Sequence, residues 1–97
     1  MVTSLIPVRY ITAHITSCMT RQDLEKLVRR FVTESSDGVT NRRVQCDTVA
    51  GRMVCEWEAP DSDALKAWLA KRNVRFRGAD EWIITVQMEA VEGRMTT

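Results

Sequence analysis

The sequence predicts an α+β fold in which two amphipathic helices cover one face of a four-stranded antiparallel sheet. Three observations support this: the order of the elements along the chain, the helical spacing of apolar residues in two segments, and a tight turn between the middle two strands. The resulting order, β-α-β-β-α-β, is the split βαβ or ferredoxin-like arrangement. Right-handed crossovers put both helices on one side of the sheet, with the first and third strands at its centre.

Length and composition predict a single globular domain and argue against nucleic-acid and membrane partners. The chain has 97 residues, of which 44% are hydrophobic and 28% charged, so we expect one domain over residues 1–97, with a lead over 1–7 and a mobile tail over 93–97. A net charge of +1 argues against a protein that neutralises nucleic-acid phosphates. No apolar run approaches the ~20 residues of a membrane-spanning helix. Three cysteines and no export signal predict free thiols and a cytoplasmic protein.

The first strand and the first helix are predicted from residues 8–38. Strand alternation divides residues 8–16 into a core-facing set, Ile11, Ala13 and Ile15, and an outward set, Tyr10, Thr12, His14 and Thr16. Thr20 is the predicted N-cap of the helix. The buried stripe at helical spacing consists of Leu24, Leu27, Val28, Phe31 and Val32. The segment 35–38, Ser-Ser-Asp-Gly, ends this helix.

A hairpin over residues 44–59 forms the middle of the sheet. Its core-facing residues are Val44, Cys46, Met53, Cys55 and Trp57, and its outward residues are Gln45, Asp47, Glu56 and Glu58. A turn at Ala50-Gly51, or a four-residue loop with the same register, pairs Cys46 with Cys55 and Arg43 with Glu58. The two thiols would then be close enough for a disulfide if oxidised, although core cysteines usually act as small hydrophobic residues.

The C-terminal part is predicted to contain the second helix and the last strand. Asp61 caps a helix that buries Leu65, Trp68 and Leu69 and ends near Asn73, followed by a basic loop over 74–80. The cations from Lys71 to Arg77 are interpreted as a solvated helix end. The last strand spans 81–91, with Trp82, Ile84, Val86 and Met88 inward and Ile83, Thr85, Gln87 and Glu89 outward. Trp57, Trp68 and Trp82 are all expected in the core.

The face of the sheet that no helix covers is the predicted binding site. His14 and Glu56 are expected side by side on the two central strands. A small ligand would contact His14, Glu56, Thr12, Gln45, Thr85 and Gln87. A divalent metal such as nickel would be held by His14, Glu56, Asp47 and Glu58, because imidazole and carboxylate groups suit such ions. The same histidine could instead serve as a general acid–base.

The segment 54–61, Val-Cys-Glu-Trp-Glu-Ala-Pro-Asp, continues into an amphipathic helix and a final strand. It resembles the corresponding stretch of a family of small bacterial proteins that includes nickel-binding members and whose domain has no assigned function. The similarity spans about residues 44–74. It implies a ferredoxin-like dimer whose two sheet faces pack into an α+β barrel, an architecture shared by small isomerases and monooxygenases. With one histidine, the chain lacks a second imidazole for a typical nickel site.

Together these observations predict a small cytoplasmic homodimer that associates through its sheet face and holds a small ligand or a divalent metal there. No nucleic-acid or membrane partner is expected. One alternative is a small dimeric α+β barrel enzyme of isomerase or monooxygenase type, with His14 as the acid–base group. Another is a structural or interaction module that binds no ligand.

Overall fold

The computed structural model describes residues 7–95 and confirms the α+β class, with two helices and a four-stranded antiparallel sheet. The elements are β1 (Val8–Ile15), α1 (Arg21–Thr33), β2 (Thr40–Asp47), β3 (Arg52–Ala59), α2 (Ser62–Ala70), β4 (Trp82–Thr85), β5 (Ala90–Val91) and β6 (Arg94–Met95). The strand order β2-β3-β1-β4 puts β1 and β3 at the centre and is compatible with a ferredoxin-like fold. Residues 1–6 of the predicted lead and residues 96–97 of the predicted tail lie outside the described residues.

Both predicted helix N-caps are confirmed. The Thr20 hydroxyl oxygen accepts a hydrogen bond from the backbone N–H of Asp23 at 3.1 Å, and a carboxylate oxygen of Asp61 accepts one from Ala64 at 2.7 Å. Each cap satisfies an amide that the first helical turn leaves without a partner. Helix α2 ends at Ala70, earlier than expected. Neither helix in the described part of the chain is both long and apolar enough to cross a membrane.

The core lies between the two helices and one face of the sheet. At its centre the ring of Trp57 packs edge-on against Phe31 and Trp68, with ring centroids 5.0 and 5.2 Å apart. The predicted buried residues of α2, Leu65, Trp68 and Leu69, are each no more than 1% exposed. In α1, Leu24 and Phe31 are buried, whereas Val32 at the edge of the predicted stripe is exposed.

The predicted register of the β2–β3 hairpin is wrong by two residues. Asp47 pairs with Arg52, so four residues, 48–51, form the loop, and Cys46 lies opposite Met53 instead of Cys55. The Asp47 carboxylate stabilises this loop by accepting the backbone N–H groups of Val49 and Ala50 at 3.0 and 2.8 Å. The opposed Cys46–Cys55 pair is therefore absent, and Cys18, Cys46 and Cys55 are all free thiols.

The predicted faces of β1 are inverted. On β3, Met53, Cys55 and Trp57 pack under the helices as expected, and they pair with His14, Thr12 and Tyr10 of β1. Because directly paired residues share one face of a sheet, Tyr10, Thr12 and His14 are buried beneath the helices. Ile11, Ala13 and Ile15 lie on the opposite face instead. Strand alternation predicts that the aliphatic side of β1 faces the core, but pairing with β3 turns the polar side toward the helices.

Strand β4 shows the same inversion and is shorter than predicted. Ile84 pairs with Ile11 and Trp82 with Ala13, so both lie on the face that no helix covers, and Trp82 is 41% exposed instead of buried. The strand ends at Thr85, and the predicted continuation to Val91 is wrong. Beyond the strand, Val86 still donates its N–H to the Arg9 carbonyl at 2.9 Å. Residues 94–95 of the expected mobile tail pair instead with residues 90–91 as β6.

Candidate ligand-binding site

The structure separates the residues that were predicted to form one site. His14 and Thr12 lie beneath the helices, whereas Glu56 lies on the uncovered face of the sheet, paired with Arg43 and Ile11. The predicted juxtaposition of His14 and Glu56 is therefore wrong. The predicted ligand contact Gln45 shares the uncovered face with Glu56, as do the predicted metal ligands Asp47 and Glu58. Thr85 pairs with Tyr10 at the exposed end of β4, and Gln87 follows in an irregular segment.

The four predicted metal ligands do not converge, because His14 is on the other side of the sheet from the three acids. Within residues 7–95, no group of three or more His, Cys, Asp and Glu side chains could hold a metal ion. The acids have other partners: Glu56 forms ion pairs with Arg43 and Arg9 at 3.3 and 3.6 Å, and Glu58 with Arg42 at 3.7 Å. Asp47 is engaged in the hairpin loop.

His14 is one of three buried polar residues in the described chain, together with Thr12 and Thr16. Its side chain is held by the Thr12 hydroxyl, 2.8 Å from Nε2, and by Phe76, whose ring stacks on the imidazole with centroids 5.5 Å apart. The Thr12 oxygen also accepts the indole N–H of Trp57 at 2.9 Å. The other imidazole nitrogen, Nδ1, is buried and has no hydrogen-bond partner among residues 7–95. A buried polar atom without a partner is costly, so this nitrogen is a candidate ligand contact.

A cavity of about 460 Å³ adjoins His14 on the helix side of the sheet; we call it the His14 cavity. The end of β1, the loop that precedes α1, Leu27 of α1, Met53 and the chain after α2 surround it. Its lining residues are His14, Ile15, Thr16, Cys18, Met19, Leu27, Met53, Arg72, Asn73, Val74, Arg75, Arg77 and Glu81. Most of the surface that lines the cavity is apolar, and its charged groups come from the segment 72–81.

Some of the charged groups around the cavity already have hydrogen-bond or ion-pair partners, and others do not. The Arg72 guanidinium binds Glu34 at 3.0 Å and the Trp68 carbonyl at 2.8 Å, and lies 3.6 Å above the Trp68 ring. The Glu81 carboxylate accepts the backbone N–H groups of Ile15 and Arg77 at 3.0 and 2.8 Å. The guanidinium groups of Arg75 and Arg77, in contrast, form no ion pair or hydrogen bond with any described residue.

Burial keeps the imidazole of His14 neutral at pH 7. Removal from water lowers the pKa of His14, and the negative charge of Glu81 only partly opposes this effect. A neutral imidazole has one donor and one acceptor nitrogen, so Nδ1 can take part in hydrogen bonding or proton transfer. Burial also raises the pKa of Cys55 to about 12, so this thiol stays protonated.

Sequence reasoning missed the residues that complete this cavity. In the segment 74–77, Val74 and Phe76 are half-buried, whereas Arg75 and Arg77 are exposed. Apolar and basic residues alternate here, which is the signal of an extended segment with one inward side. The prediction of a solvated helix end rests on the charges of this cluster and does not use the alternation.

Fold and cavity together define a small α+β domain in which a two-helix layer and a four-stranded sheet enclose a buried histidine beside a largely apolar cavity. Comparisons with protein-family models, with curated proteins and with solved structures find no match. The class of this protein thus follows from its own geometry, and the family suggested by residues 44–74 stays a resemblance.

Proposed function

We propose that this chain is a small homodimeric protein that binds a small molecule in the His14 cavity. The observation that carries the proposal is the buried Nδ1 of His14, which lacks a partner within the described chain. Leaving such a group unsatisfied costs about 1–3 kcal/mol, a cost that a bound ligand would remove. This moves the expected ligand from the uncovered sheet face to the space beneath the helices.

The size and lining of the cavity support this proposal. Small-molecule sites are clefts of about 300–1,000 Å³ with mostly apolar walls and a few placed polar groups. The His14 cavity, at about 460 Å³, falls within this range. Met19, Leu27 and Val74 supply apolar walls, and His14 supplies a fixed polar contact. A ligand of about the size of an amino acid or a phenol derivative suits this space.

The uncovered sheet face supports the homodimer. We call it the open face; Ile11, Val54, Trp82 and Ile84 form its apolar centre. Trp82 and Ile84 are 41% and 48% exposed, and side chains of this kind grouped on one surface are typical of an interface. The aliphatic residues of β1 and β4 therefore lie on the face where the proposed partner would bind.

The charges of the open face favour a second copy of the same chain as the partner. Arg9 binds Glu89 at 2.6 Å, and this pair adjoins the ion pairs of Glu56 and Glu58. The arginines and glutamates beside the apolar centre are therefore paired, and their charges compensate one another. A face without a large excess of one charge does not repel its own copy, and Glu56 can be covered because it already has cationic partners.

Methyl-labelled methionines provide a direct test of ligand binding. Met19 and Met53 line the His14 cavity, whereas Met88 and Met95 are 75% and 63% exposed in the C-terminal segment. We expect titration with 3-(4-hydroxyphenyl)propanamide or 3-(4-hydroxyphenyl)propanoate to shift the methyl resonances of Met19 and Met53. The resonances of Met88 and Met95 serve as internal controls and should not move.

The imidazole of His14, the only histidine in the chain, gives the second readout in the same titration. Its ring resonances should shift together with those of Met19 and Met53. Shifts restricted to the exposed methionines would place binding elsewhere and contradict the proposal. The absence of any shift with either compound at millimolar concentration would favour a structural or interaction module that binds no small ligand.

A second candidate function is a small enzyme of the dimeric α+β barrel type. The neutral state of His14 favours it, because an unprotonated imidazole beside a cavity can remove a proton from a bound molecule. If His14 is such a base, the protein should exchange the α-protons of 4-(4-hydroxyphenyl)-2-butanone for deuterium in heavy water, as followed by NMR. His14→Gln should abolish this exchange. An exchange rate equal to that of buffer alone would rule out this function for the compound tested.

A further inference from the structure

We infer that the ligand of the His14 cavity is a carboxylate with an apolar body and a hydrogen-bonding group at its far end. This inference rests on the proposed function and specifies the ligand class. The carboxylate would bind Arg75 and Arg77 at the rim, and the far polar group would bind Nδ1 of His14. The cavity has the matching features: two arginines at its rim, His14 at its inner end, and apolar walls between them.

The rim supplies the cationic end of the site. Arg75 and Arg77 both line the cavity and are exposed, and neither guanidinium has a partner among residues 7–95. Guanidinium groups form strong paired hydrogen bonds with carboxylates. Arg75 and Arg77 are exposed and alternate with the half-buried Val74 and Phe76, so both lie on the outward side of this segment and one carboxylate can approach both.

The other charged residues that line the cavity, Arg72 and Glu81, already have partners within the protein. Arg75 and Arg77 are therefore the groups that can bind an anion. Arg72 is engaged by Glu34 and by the Trp68 ring and carbonyl. Glu81 is the only acid among the lining residues, and both its oxygens accept backbone amides, one of them the N–H of Arg77 itself. Its charge is therefore held near the backbone, and the two guanidinium groups outnumber it.

The inner end of the cavity requires a small polar group on the ligand. His14 is 4% exposed, and its Nε2 is already engaged by Thr12. A hydroxyl group can both donate and accept, so it can bind Nδ1 in either neutral tautomer of the imidazole. Because the ring of Phe76 stacks on the imidazole and Nδ1 is itself buried, that group reaches Nδ1 only when Phe76 shifts.

Four compounds that differ only at their ends separate the two contacts: 3-(4-hydroxyphenyl)propanoate, its primary amide, 3-phenylpropanoate and 3-phenylpropanamide. Affinities would be measured by calorimetry and by the shifts of the Met19 and Met53 methyl groups. We expect the hydroxylated acid to bind at least about tenfold more tightly than its amide, the difference typical of a charge-assisted hydrogen bond. Loss of the phenol hydroxyl should weaken binding and reduce the shift of the His14 ring resonances.

A double variant, Arg75→Gln with Arg77→Gln, tests the rim. It should abolish the preference for acid over amide while leaving binding of the amide unchanged. Arg29→Gln is the matched control, because Arg29 is an exposed arginine on α1 that does not line the His14 cavity. The control variant should keep the full preference.

The outcomes distinguish this inference from the proposed function on which it rests. Equal binding of acid and amide with shifts at Met19 and Met53 would overturn the carboxylate inference and leave ligand binding intact. A preference for the acid that persists in the double variant would likewise overturn the assignment to Arg75 and Arg77. Failure of all four compounds to bind would overturn both.

Discussion

At the scale of single residues, Thr12 has a larger structural role than its type suggests. Its hydroxyl oxygen lies 2.8 Å from Nε2 of His14 and accepts the indole N–H of Trp57 at 2.9 Å. The residue itself is completely buried. One side chain therefore satisfies two buried polar groups that belong to two strands, and it fixes the imidazole beside the cavity.

Thr12→Val should destabilise the protein by about 2–4 kcal/mol, because valine has nearly the same shape but leaves both Nε2 of His14 and Nε1 of Trp57 without a partner. Chemical denaturation measures this change. Thr85→Val is the matched control: Thr85 is an exposed strand threonine, and the same substitution there should be nearly neutral. Equal effects of the two variants would contradict the role of Thr12.

His14 should make the folded protein sensitive to acid. The pKa of His14 is lowered from the ordinary value of 6.5 by burial, so below about pH 6.5 the unfolded chain takes up a proton that the folded chain does not. Protonation therefore favours unfolding, and stability should fall as the pH decreases from 6.5 toward the lowered pKa. The slope contributed by this group is at most about 1.4 kcal/mol per pH unit.

The acid sensitivity is measured as the unfolding free energy of wild type and His14→Phe between pH 7 and 5. The difference between the two proteins should change across this range, since phenylalanine carries no titratable group. NMR titration of the single imidazole provides an independent check. A folded-state pKa above 6.5 would contradict the prediction.

At the scale of elements, the β2–β3 loop is fixed by contacts outside the hairpin. Gly51 has φ +71°, a conformation that favours glycine, and its carbonyl accepts the N–H of Thr16 at 2.7 Å. A Cβ atom on Gly51 would lie 2.6 Å from Cβ and 2.7 Å from Cα of Ser17. The residues that follow β1 thus pack directly on the loop, and this contact helps to select the observed register.

Gly51→Ala should therefore destabilise the protein by more than the roughly 1–2 kcal/mol expected for an alanine with positive φ alone. Gly93→Ala is the matched control, because Gly93 has φ +77° but no atom within 4 Å of the position that its Cβ would occupy. Thermal or chemical unfolding of both variants measures the difference. If Gly93→Ala were as destabilising as Gly51→Ala, backbone conformation and not the contact with Ser17 would explain the effect.

At the scale of the whole molecule, the sheet has apolar residues on both faces. The helices cover one face, and the open face presents Ile11, Val54, Trp82 and Ile84 to solvent in the single chain. A sheet that faces water on one side usually carries polar residues there. Three strands of eight residues and one of four, spaced ~4.8 Å apart and rising ~3.3 Å per residue, give the face ~440 Å² in plan, about half of the ~800 Å² per partner of a standard interface.

Dimerisation through this face predicts that Ile84→Glu weakens self-association at least about tenfold, since it buries an unpaired charge in the apolar centre. Val49→Glu is the matched control: Val49 is 97% exposed in the β2–β3 loop, away from the open face, and its substitution should have no effect. Sedimentation velocity over a concentration series measures both. A wild-type protein that is monomeric up to about 100 µM would contradict the dimer.

The sequence alone determined the fold class, the two helix caps, the buried face of α2 and the core face of β3. These are local properties: each cap depends on four consecutive residues, and a helical stripe or a clean strand alternation needs no knowledge of distant contacts. Only the tertiary structure decided the faces of β1 and β4, because both sides of each strand carry residues that could be buried. Pairing with β3 placed His14 beneath the helices, and so moved the candidate site from the open face to the cavity that segment 74–77 completes.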